Sequence, residues 1–302
     1  MTPICLVGIG KIAVDQHVPS INASNDWDLA ATVSHAGKVD GVPAYTDFDQ
    51  MLAETDIPVI SLCLPPVPRY EYAAKAIAAG RHVMLEKPPG ATLAEVHALA
   101  DMAQAAGVTL YTTWHSRMAN GVAPAKAWLA DKEITGAHIS WKEDVRRWHP
   151  GQNWVFEPGG MGVFDPGSNA LSIITEILPM PIHLQSAELL FPSNCDTPIA
   201  AQLQWTENVT GDFDWRQEGP QSWDITVETT AGGQLALHDG GARLLIDGAE
   251  VAAGEDREYP ALYDRMAELV RTGTSEVDVS PMIHVADALT LGKRVTVDPF
   301  HF

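Results

Sequence analysis

Short apolar runs alternate with amphipathic stretches over residues 1–118. This alternation predicts βαβ units, and therefore a doubly wound domain built on a parallel sheet. Thr92 and Glu95 have the spacing of a capping box at the start of one helix, and Gly107 ends that helix. The predicted elements are strands at 3–8, 29–33, 59–64, 83–85 and 109–113, with helices up to about 23 and at 47–53, 69–79 and 92–107.

The pattern changes after Ser116, where several short strands follow one another without helices between them. Turns that contain Gly, Pro or Asn join these strands, which indicates an open, mostly antiparallel sheet in an α+β domain at 119–302. Two helices close the chain, and Pro260 stands at the start of the first. The predicted elements are a helix at 122–129 and strands at 137–141, 185–191, 200–206, 211–215, 223–229, 234–238 and 242–246.

Charge and hydropathy exclude two classes of partner. The chain has 302 residues, with 19 Lys and Arg against 39 Asp and Glu, and a formal net charge of −20. A nucleic-acid partner needs a basic face, and this sequence has no basic run from which to build one. No apolar stretch approaches the roughly 20 residues that span a bilayer, and the start of the chain lacks a secretory pattern. A cytoplasmic protein without a membrane partner is expected.

Three scattered cysteines fit neither a disulfide framework nor a zinc site. Cys5 and Cys63 lie in apolar strand-like runs, where cysteine behaves as a small buried hydrophobic residue. The His, Cys and Asp residues form no cluster with ligand spacing, so no metal is expected.

A glycine-rich segment, Gly-Ile-Gly-Lys-Ile-Ala, follows the first predicted strand and opens a helix. This is the context that the dinucleotide fingerprint requires, in its GxGxxA form. Gly8 permits the tight turn, Gly10 lets the backbone approach a pyrophosphate, and Ala13 allows close packing of helix on strand. A glycine-rich turn without a ligand is the alternative. The predicted cofactor-binding residues are Gly8, Gly10, Lys11, Ile12, Ser34, His35, Pro65, Glu86 and Lys87.

The end of the second strand predicts which dinucleotide binds. An acidic residue there would hold the ribose 2′-hydroxyl of NAD, but this chain has Ser34 and His35. A neutral serine does not repel a 2′-phosphate, and both side chains can form a hydrogen bond with one. NADP is therefore the predicted cofactor, with NAD as the second choice. The alternative for His35 is a merely exposed histidine.

Glu86, Lys87 and Pro88 follow the strand at 83–85, at the carboxyl edge of the predicted parallel sheet. Ligands of open α/β sheets bind along that edge. An ammonium group there can lower the pKa of a reacting hydroxyl and stabilise oxyanion character. By itself Lys87 is more often a surface lysine.

Taken together, the glycine-rich turn and the Glu-Lys-Pro motif resemble the Gfo/Idh/MocA oxidoreductase family. The resemblance spans the chain, since the second half fits the open antiparallel sheet of that family. It implies an N-terminal Rossmann dinucleotide-binding domain, a C-terminal domain for the substrate, and a homo-oligomer, dimer or tetramer, in which another subunit covers one face of the second sheet.

Within that family, segments 8–17, 86–90, 141–152 and 162–172 resemble the bacterial galactose and L-arabinose 1-dehydrogenases. The general family pattern has an aspartate and, four residues later, an acid/base histidine. This chain has Asp165, but Asn169 stands at the histidine position. An amide cannot exchange a proton at neutral pH, so Asn169 is expected only to orient a hydroxyl. Asp165 is then the predicted catalytic base and Lys87 its electrostatic partner.

The resemblance also implies a sugar-binding segment rich in aromatic and polar residues. Glu143 and His149 can bind vicinal hydroxyls, while Trp148 or Trp154 can stack against the C–H face of a sugar. His115, after the strand at 109–113, is a further predicted neighbour of the sugar or the nicotinamide. The alternative is that the tryptophans are core residues and that Glu143 pairs with a neighbouring arginine.

These features predict an NAD(P)-dependent aldose 1-dehydrogenase that oxidises the anomeric carbon of a galactose-configured sugar to the aldonolactone. D-Galactose, L-arabinose and D-fucose differ only at C5, so one pocket can accept all three. Two alternatives remain: a ring-hydroxyl dehydrogenase of the inositol type, and a non-catalytic sensor that binds NADP.

Overall fold

The computed structural model describes residues 1–230 and 232–301. Their contacts divide the chain into two units, residues 1–115 with 258–279, and residues 116–257 with those from 280 onward. The sequence analysis placed one boundary at 118 and a continuous second domain after it. The difference arises from helix α8 (Glu258–Thr272), which belongs to the first unit. Its apolar stripe predicts a buried face, but a stripe does not specify which core the helix covers.

The first unit is a parallel sheet with the strand order β3-β2-β1-β4-β5-β6. This order is that of the Rossmann fold, in which ligands bind at the carboxyl ends of the strands. The strands are β1 (Thr2–Val7), β2 (Trp27–Val33), β3 (Ala44–Tyr45), β4 (Val59–Leu62), β5 (His82–Leu85) and β6 (Leu110–Thr112). The helices, besides α8, are α1 (Val18–Ala23), α2 (Phe48–Glu54), α3 (Pro66–Ala78) and α4 (Leu93–Ala106).

The second unit is built on a nine-stranded mixed sheet in the order β14-β13-β12-β11-β7-β10-β9-β8-β15. Two neighbouring pairs, β7–β10 and β8–β15, are parallel, and the other pairs are antiparallel. The strands are β7 (Ile134–Lys142), β8 (Leu184–Pro192), β9 (Ala200–Trp205), β10 (Val209–Asp214), β11 (Ser222–Thr229), β12 (Gln234–His238), β13 (Arg243–Ile246), β14 (Ala249–Ala252) and β15 (Lys293–Val297). The helices are α5 (Val122–Leu129), α6 (Val145–Trp148), α7 (Phe164–Ile177) and α9 (Ser280–Leu291).

The fold class is confirmed, and most of the predicted elements form. The strands β3, β14 and β15, the short helix α6 and the longer helix α7 were not predicted. All three strands lie at sheet edges, where burial is low and the hydropathy pattern is correspondingly weak. Helix α6 has only four residues, too few to show a helical period.

Helix α7 is the central helix of the second unit. It contacts α5, α9, β7 and β11, and most of its side chains are buried. Gly167 lets α7 approach Phe213 of β10 closely, because a Cβ on Gly167 would lie 3.0 Å from the Phe213 ring. A polar side chain at the first turn of such a helix is therefore fixed by the packing of the whole helix.

The predicted capping box is present at the start of α4. Thr92 Oγ1 accepts from the backbone N–H of Glu95 at 3.2 Å, and the Glu95 carboxylate accepts from the N–H of Thr92 at 3.2 Å. Gly107 ends the helix in the left-handed conformation, with φ 67°.

Replacing Thr92 by Ala removes one of these two reciprocal bonds. We expect Thr92→Ala to lower the free energy of unfolding by about 1 kcal/mol, whereas Thr92→Ser keeps the oxygen and stays close to the wild type. Urea unfolding followed by far-ultraviolet circular dichroism measures both variants. Equal stability of all three proteins would show that this cap contributes nothing.

Candidate active site

The predicted cofactor residues of the first unit all follow strand ends at the carboxyl edge of its sheet. Gly8 and Gly10 follow β1, Ser34 and His35 follow β2, and Glu86 follows β5. They come together because every strand of the sheet runs in the same direction.

The glycine-rich turn has the geometry that a pyrophosphate requires. Gly8 has φ +89°, and a Cβ on it would lie 2.7 Å from the backbone N of Leu64, so only glycine fits there. Gly10 faces open space, with no heavy atom of the described residues within 4 Å of an added Cβ. The chain then turns into a helix that begins with a π-helical turn at Ala13–His17, and Ala13 is fully buried. A phosphate group can thus approach the backbone and the first helical amides.

Three other predicted cofactor residues, Lys11, Ile12 and Pro65, are exposed at this edge. Lys11 forms an ion pair with Asp15, one helical turn further on. Pro65 immediately precedes α3. None of the three is held in the core, so each can contact a bound ligand.

The predicted ribose-binding residues lie in an ordered turn after β2. Ser34 Oγ accepts from the backbone N–H groups of Ala36 at 3.1 Å and Gly37 at 3.3 Å, which leaves its hydroxyl hydrogen to donate elsewhere. His35 is exposed and lines a cleft of about 410 Å³. Asp49 and Glu71 also line this cleft, and both form ion pairs with Lys75.

A buried arginine shapes the turn that carries Lys87. Arg69 on α3 is 2% exposed, and its guanidinium donates to the backbone carbonyls of Leu64, Glu86 and Pro88. It thereby ties the end of β4 to the Glu-Lys-Pro turn. Lys87 itself is half-buried.

Glu86 is a buried, ionised carboxylate. The hydroxyl of Tyr259 on α8 donates to its Oε1 at 2.7 Å, and His17 Nε2 lies 3.5 Å from the same oxygen. Burial alone would raise the pKa of Glu86, but the hydrogen bond and charge of His17, with the charges of His115 and Lys87, outweigh it. The pKa of Glu86 falls from 4.5 to about 2. Glu86 therefore carries a negative charge inside the unit throughout the physiological pH range.

His17 is the buried cation that faces Glu86. Burial lowers its pKa, but Cys63, Tyr263 and Glu86 outweigh that effect and raise the pKa well above 6.5. Its Nδ1 lies 2.7 Å from the hydroxyl of Tyr263 on α8. Two tyrosines of one helix thus fix both members of a buried ion pair beside Lys87.

The other predicted residue at this edge, His115, also contacts α8. Its Nδ1 lies 2.5 Å from Glu258 Oε2, and its ring stacks on Tyr259 with 5.2 Å between centroids. The sequence analysis missed His17, Tyr259 and Tyr263. His17 could have been noticed as a histidine one helical turn after Ala13, but nothing local connects the tyrosines of α8 to this edge.

In the second unit, Asp165 and Asn169 both lie on α7, four residues apart and therefore on one face. Asp165 is 4% exposed. Asp165 is not the N-cap of the helix, because the N-cap is Val163 and Asp165 lies within the first turn. His149 Nε2 is 3.4 Å from Asp165 Oδ2, and His149 Nδ1 is 3.2 Å from Gln152 Oε1.

Glu143 is held by two tryptophans. Its Oε1 accepts from Trp215 Nε1 at 3.0 Å, and its Oε2 accepts from Trp223 Nε1 at 2.8 Å. Glu143 thus positions two aromatic rings, a role that the sequence analysis did not foresee.

The predicted stacking residues differ in their surroundings. The Trp148 ring packs on Trp223 at 5.4 Å, and its buried Nε1 has no hydrogen-bond partner within residues 1–230 and 232–301. Trp154 packs against the hydrophobic core of the second unit. His149 meets the edge of Trp215, at 5.1 Å between centroids. We refer to Trp148, Trp215 and Trp223 as the aromatic cluster. Glu143 accepts hydrogen bonds from two of its rings, and His149, which lies beside Asp165, contacts one of them.

Two negative findings concern the part of the chain that the structure describes. No group of three or more His, Cys, Asp or Glu side chains there has an arrangement that could hold a metal ion. No described helix combines the length and apolar character needed to cross a membrane.

Comparison with known proteins decides the family. Residues 3–113 match the model of GFO_IDH_MocA, described as an oxidoreductase family with an NAD-binding Rossmann fold. A protein named galactose 1-dehydrogenase, from Pseudomonas fluorescens, is 42% identical over 98% of this chain and 97% of its own length. The chain belongs to the Gfo/Idh/MocA oxidoreductase family.

Solved structures of this fold agree along the whole chain. The crystal structure of a D-galactose-1-dehydrogenase protein from Rhizobium etli has 52% identity and a TM-score of 0.94, covering 99% of this chain and 97% of its own. KijD10, a 3-ketoreductase from Actinomadura kijaniata crystallised with NADP and TDP-benzene, has 16% identity and a TM-score of 0.81, covering 98% of this chain and 99% of its own. At that identity KijD10 shares only the fold. The predicted Gfo/Idh/MocA membership is confirmed, and with it an NAD-binding Rossmann fold.

The contact between Tyr259 and Glu86 makes a prediction for stability. Tyr259→Phe removes a donor to a buried carboxylate, and we expect the free energy of unfolding at pH 7 to fall by about 1–3 kcal/mol. Because folding lowers the pKa of Glu86, its ionised form stabilises the protein above pH 4.5, and this contribution is lost as the pH falls towards about 2. The deficit of the variant should therefore shrink over that interval.

Urea unfolding at pH 7 and at pH 3 measures the deficit. Tyr72→Phe is the matched control, since Tyr72 lies in the same unit with its ring packed on Phe48. The interpretation is wrong if Tyr259→Phe loses the same free energy at both pH values.

Proposed function

We propose that this protein is an NAD(P)-dependent aldose 1-dehydrogenase that oxidises the anomeric carbon of a galactose-configured sugar to the aldonolactone. The observation that carries the proposal is full-length similarity, at 42% and 52% identity, to two proteins named as galactose 1-dehydrogenases. The similarity includes the second unit, which contains Asp165, Asn169 and the aromatic cluster. A ring-hydroxyl substrate lacks that support.

We assign each part of the oxidation to a residue. Asp165 takes the proton of the anomeric hydroxyl while the C1–H bond breaks and its electron pair leaves as hydride. A hemiacetal hydroxyl is more acidic than a simple alcohol, so a carboxylate held close to it suffices. Asn169 orients that hydroxyl, and Lys87 stabilises the negative charge that develops on the oxygen. Gly8, Gly10 and Ser34 would hold the dinucleotide, whose nicotinamide would supply the hydride acceptor.

The sugar hydroxyls are assigned to the polar and aromatic residues of the second unit, together with His115. Glu143 and His149 bind hydroxyls, and Trp148 and Trp154 offer ring faces to the C–H side of the sugar. D-Galactose, L-arabinose and D-fucose differ only at C5, and we propose that all three are substrates. A homo-oligomer, dimer or tetramer, stays a prediction.

Turnover tests the proposal directly. Purified protein is mixed with D-galactose, L-arabinose, D-fucose, D-glucose, D-xylose and myo-inositol, each with NAD and with NADP, and absorbance of the reduced nicotinamide is followed. We expect turnover on the galactose-configured sugars, and a loss of at least about 10²-fold in kcat for Asp165→Asn, the range for removal of a general base. Asp131→Asn, an exposed carboxylate of the same unit, is the control.

Three other outcomes of this experiment would contradict the proposal or part of it. Turnover on myo-inositol alone would move the reaction to a ring hydroxyl. Binding of NADP without turnover on any sugar would favour the sensor. Full activity of Asp165→Asn would remove this carboxylate from the mechanism.

Ser34 gives a second prediction, on cofactor choice. We propose that NADP is preferred and NAD is also used, because Ser34 is neutral and has a hydroxyl hydrogen to donate. Ser34→Asp can keep both backbone bonds while adding a negative charge, which repels a 2′-phosphate.

We expect Ser34→Asp to shift the ratio of kcat/KM for NADP over NAD towards NAD by roughly 10- to 100-fold, the effect of one nearby like charge. Ser34→Ala, which adds no charge, is the control for loss of the hydroxyl. An unchanged ratio in Ser34→Asp would place the 2′-phosphate away from this turn.

A further inference from the structure

An imidazole lies beside the proposed catalytic carboxylate, and it comes from a different segment of the second unit. His149 directly follows α6, whereas Asp165 is in the first turn of α7. The distance from His149 Nε2 to Asp165 Oδ2 is 3.4 Å. Position 169, one turn after Asp165 on α7, holds an asparagine, which cannot exchange a proton at neutral pH. His149 can.

The other ring nitrogen of His149 determines the tautomer. Nδ1 lies 3.2 Å from Gln152 Oε1, which is an acceptor, so Nδ1 carries a hydrogen and donates it. In the neutral ring Nε2 then has a lone pair, and this lone pair is directed to the Asp165 carboxylate. The two side chains can therefore hold one additional proton between Asp165 Oδ2 and His149 Nε2.

The two members of the pair differ in their exposure to solvent. Asp165 lies in the first turn of α7. Its side chain is 6% exposed, whereas that of His149 is 20% exposed. The imidazole is thus the member of the pair that can exchange with solvent.

The ring of His149 is also held in orientation. The edge contact with Trp215 restrains one side, and Trp215 is in turn fixed by its hydrogen bond to Glu143. Gln152 restrains the Nδ1 side. A ring held in this way keeps Nε2 directed at the carboxylate.

We propose that His149 is the proton-accepting partner of Asp165. The proton of the anomeric hydroxyl passes to Asp165 Oδ2 and then to His149 Nε2, while the electron pair of the C1–H bond leaves as hydride. The imidazolium that forms donates to Asp165 and to Gln152 through its two N–H groups, and then releases the Nε2 proton to solvent. This role rests on the proposed function, and it goes beyond the binding of a sugar hydroxyl that is proposed above for the same ring.

Steady-state kinetics separate the two roles. We expect His149→Asn to lower kcat on the preferred galactose-configured sugar by about 10²-fold or more, with a smaller change in KM. A residue that only binds the sugar would instead raise KM and leave kcat nearly intact, and that result would overturn the proposal. His183→Asn, at an exposed histidine of the same unit, is the matched control.

Chemical rescue tests the base itself. Added imidazole should restore part of the kcat of His149→Ala in proportion to its concentration, and it should not restore Asp165→Ala. Failure of rescue in a variant whose near-ultraviolet circular dichroism matches the wild type would overturn the proposal. Absence of turnover by the wild-type protein would instead contradict the proposed function.

Variants of Gln152 leave both the Asp165 carboxylate and the His149 imidazole in place. Gln152→Leu removes the acceptor for Nδ1–H, and we expect kcat to fall roughly 3- to 10-fold, the loss of one modest hydrogen bond in orientation. Gln152→Glu keeps an acceptor and should retain most of the activity. Equal kcat in both variants would contradict the tautomer assigned here.

Discussion

A carboxylate removed from water is costly unless donors or cations surround it. Three carboxylates of this protein, Glu86, Glu143 and Asp165, are each about 5% exposed or less. Each of them lies where a strand or a helix begins or ends, next to a residue that is predicted to bind the cofactor or the sugar. The partners of each charge determine the structure around it. Glu86 is held by helix α8, Glu143 by the aromatic cluster, and Asp165, on helix α7, by His149.

The three carboxylates have different partners, and we infer a different role for each of them from those partners. Glu86 has a buried cation and a tyrosine donor, which hold its pKa near 2 and keep it ionised, so it supports structure rather than exchanging protons. Glu143 accepts from two indoles and thereby orients aromatic rings. Asp165 lies next to an imidazole, a group that can itself accept a proton. The proton transfer that we propose for each turnover is therefore assigned to the third arrangement.

The residues that the sequence analysis found share one property, which is that their signal is local. The glycine-rich turn and the capping box of α4 each depend on a few consecutive positions, and each forms as predicted. The partners of the buried carboxylates are distant in sequence. Tyr259 is 173 residues from Glu86, and Trp223 is 80 residues from Glu143, so no local pattern relates them.

The fold class and the position of the predicted cofactor residues at the carboxyl edge of the sheet follow from the sequence alone, because hydropathy periods and turn residues act over one element at a time. Folding returns α8 to the first unit, places two tryptophans on Glu143 and brings His149 to Asp165. The physical reason is that desolvation of a charge is resolved by whichever donors the folded chain brings near it, and that proximity arises from packing rather than from neighbouring positions in the chain.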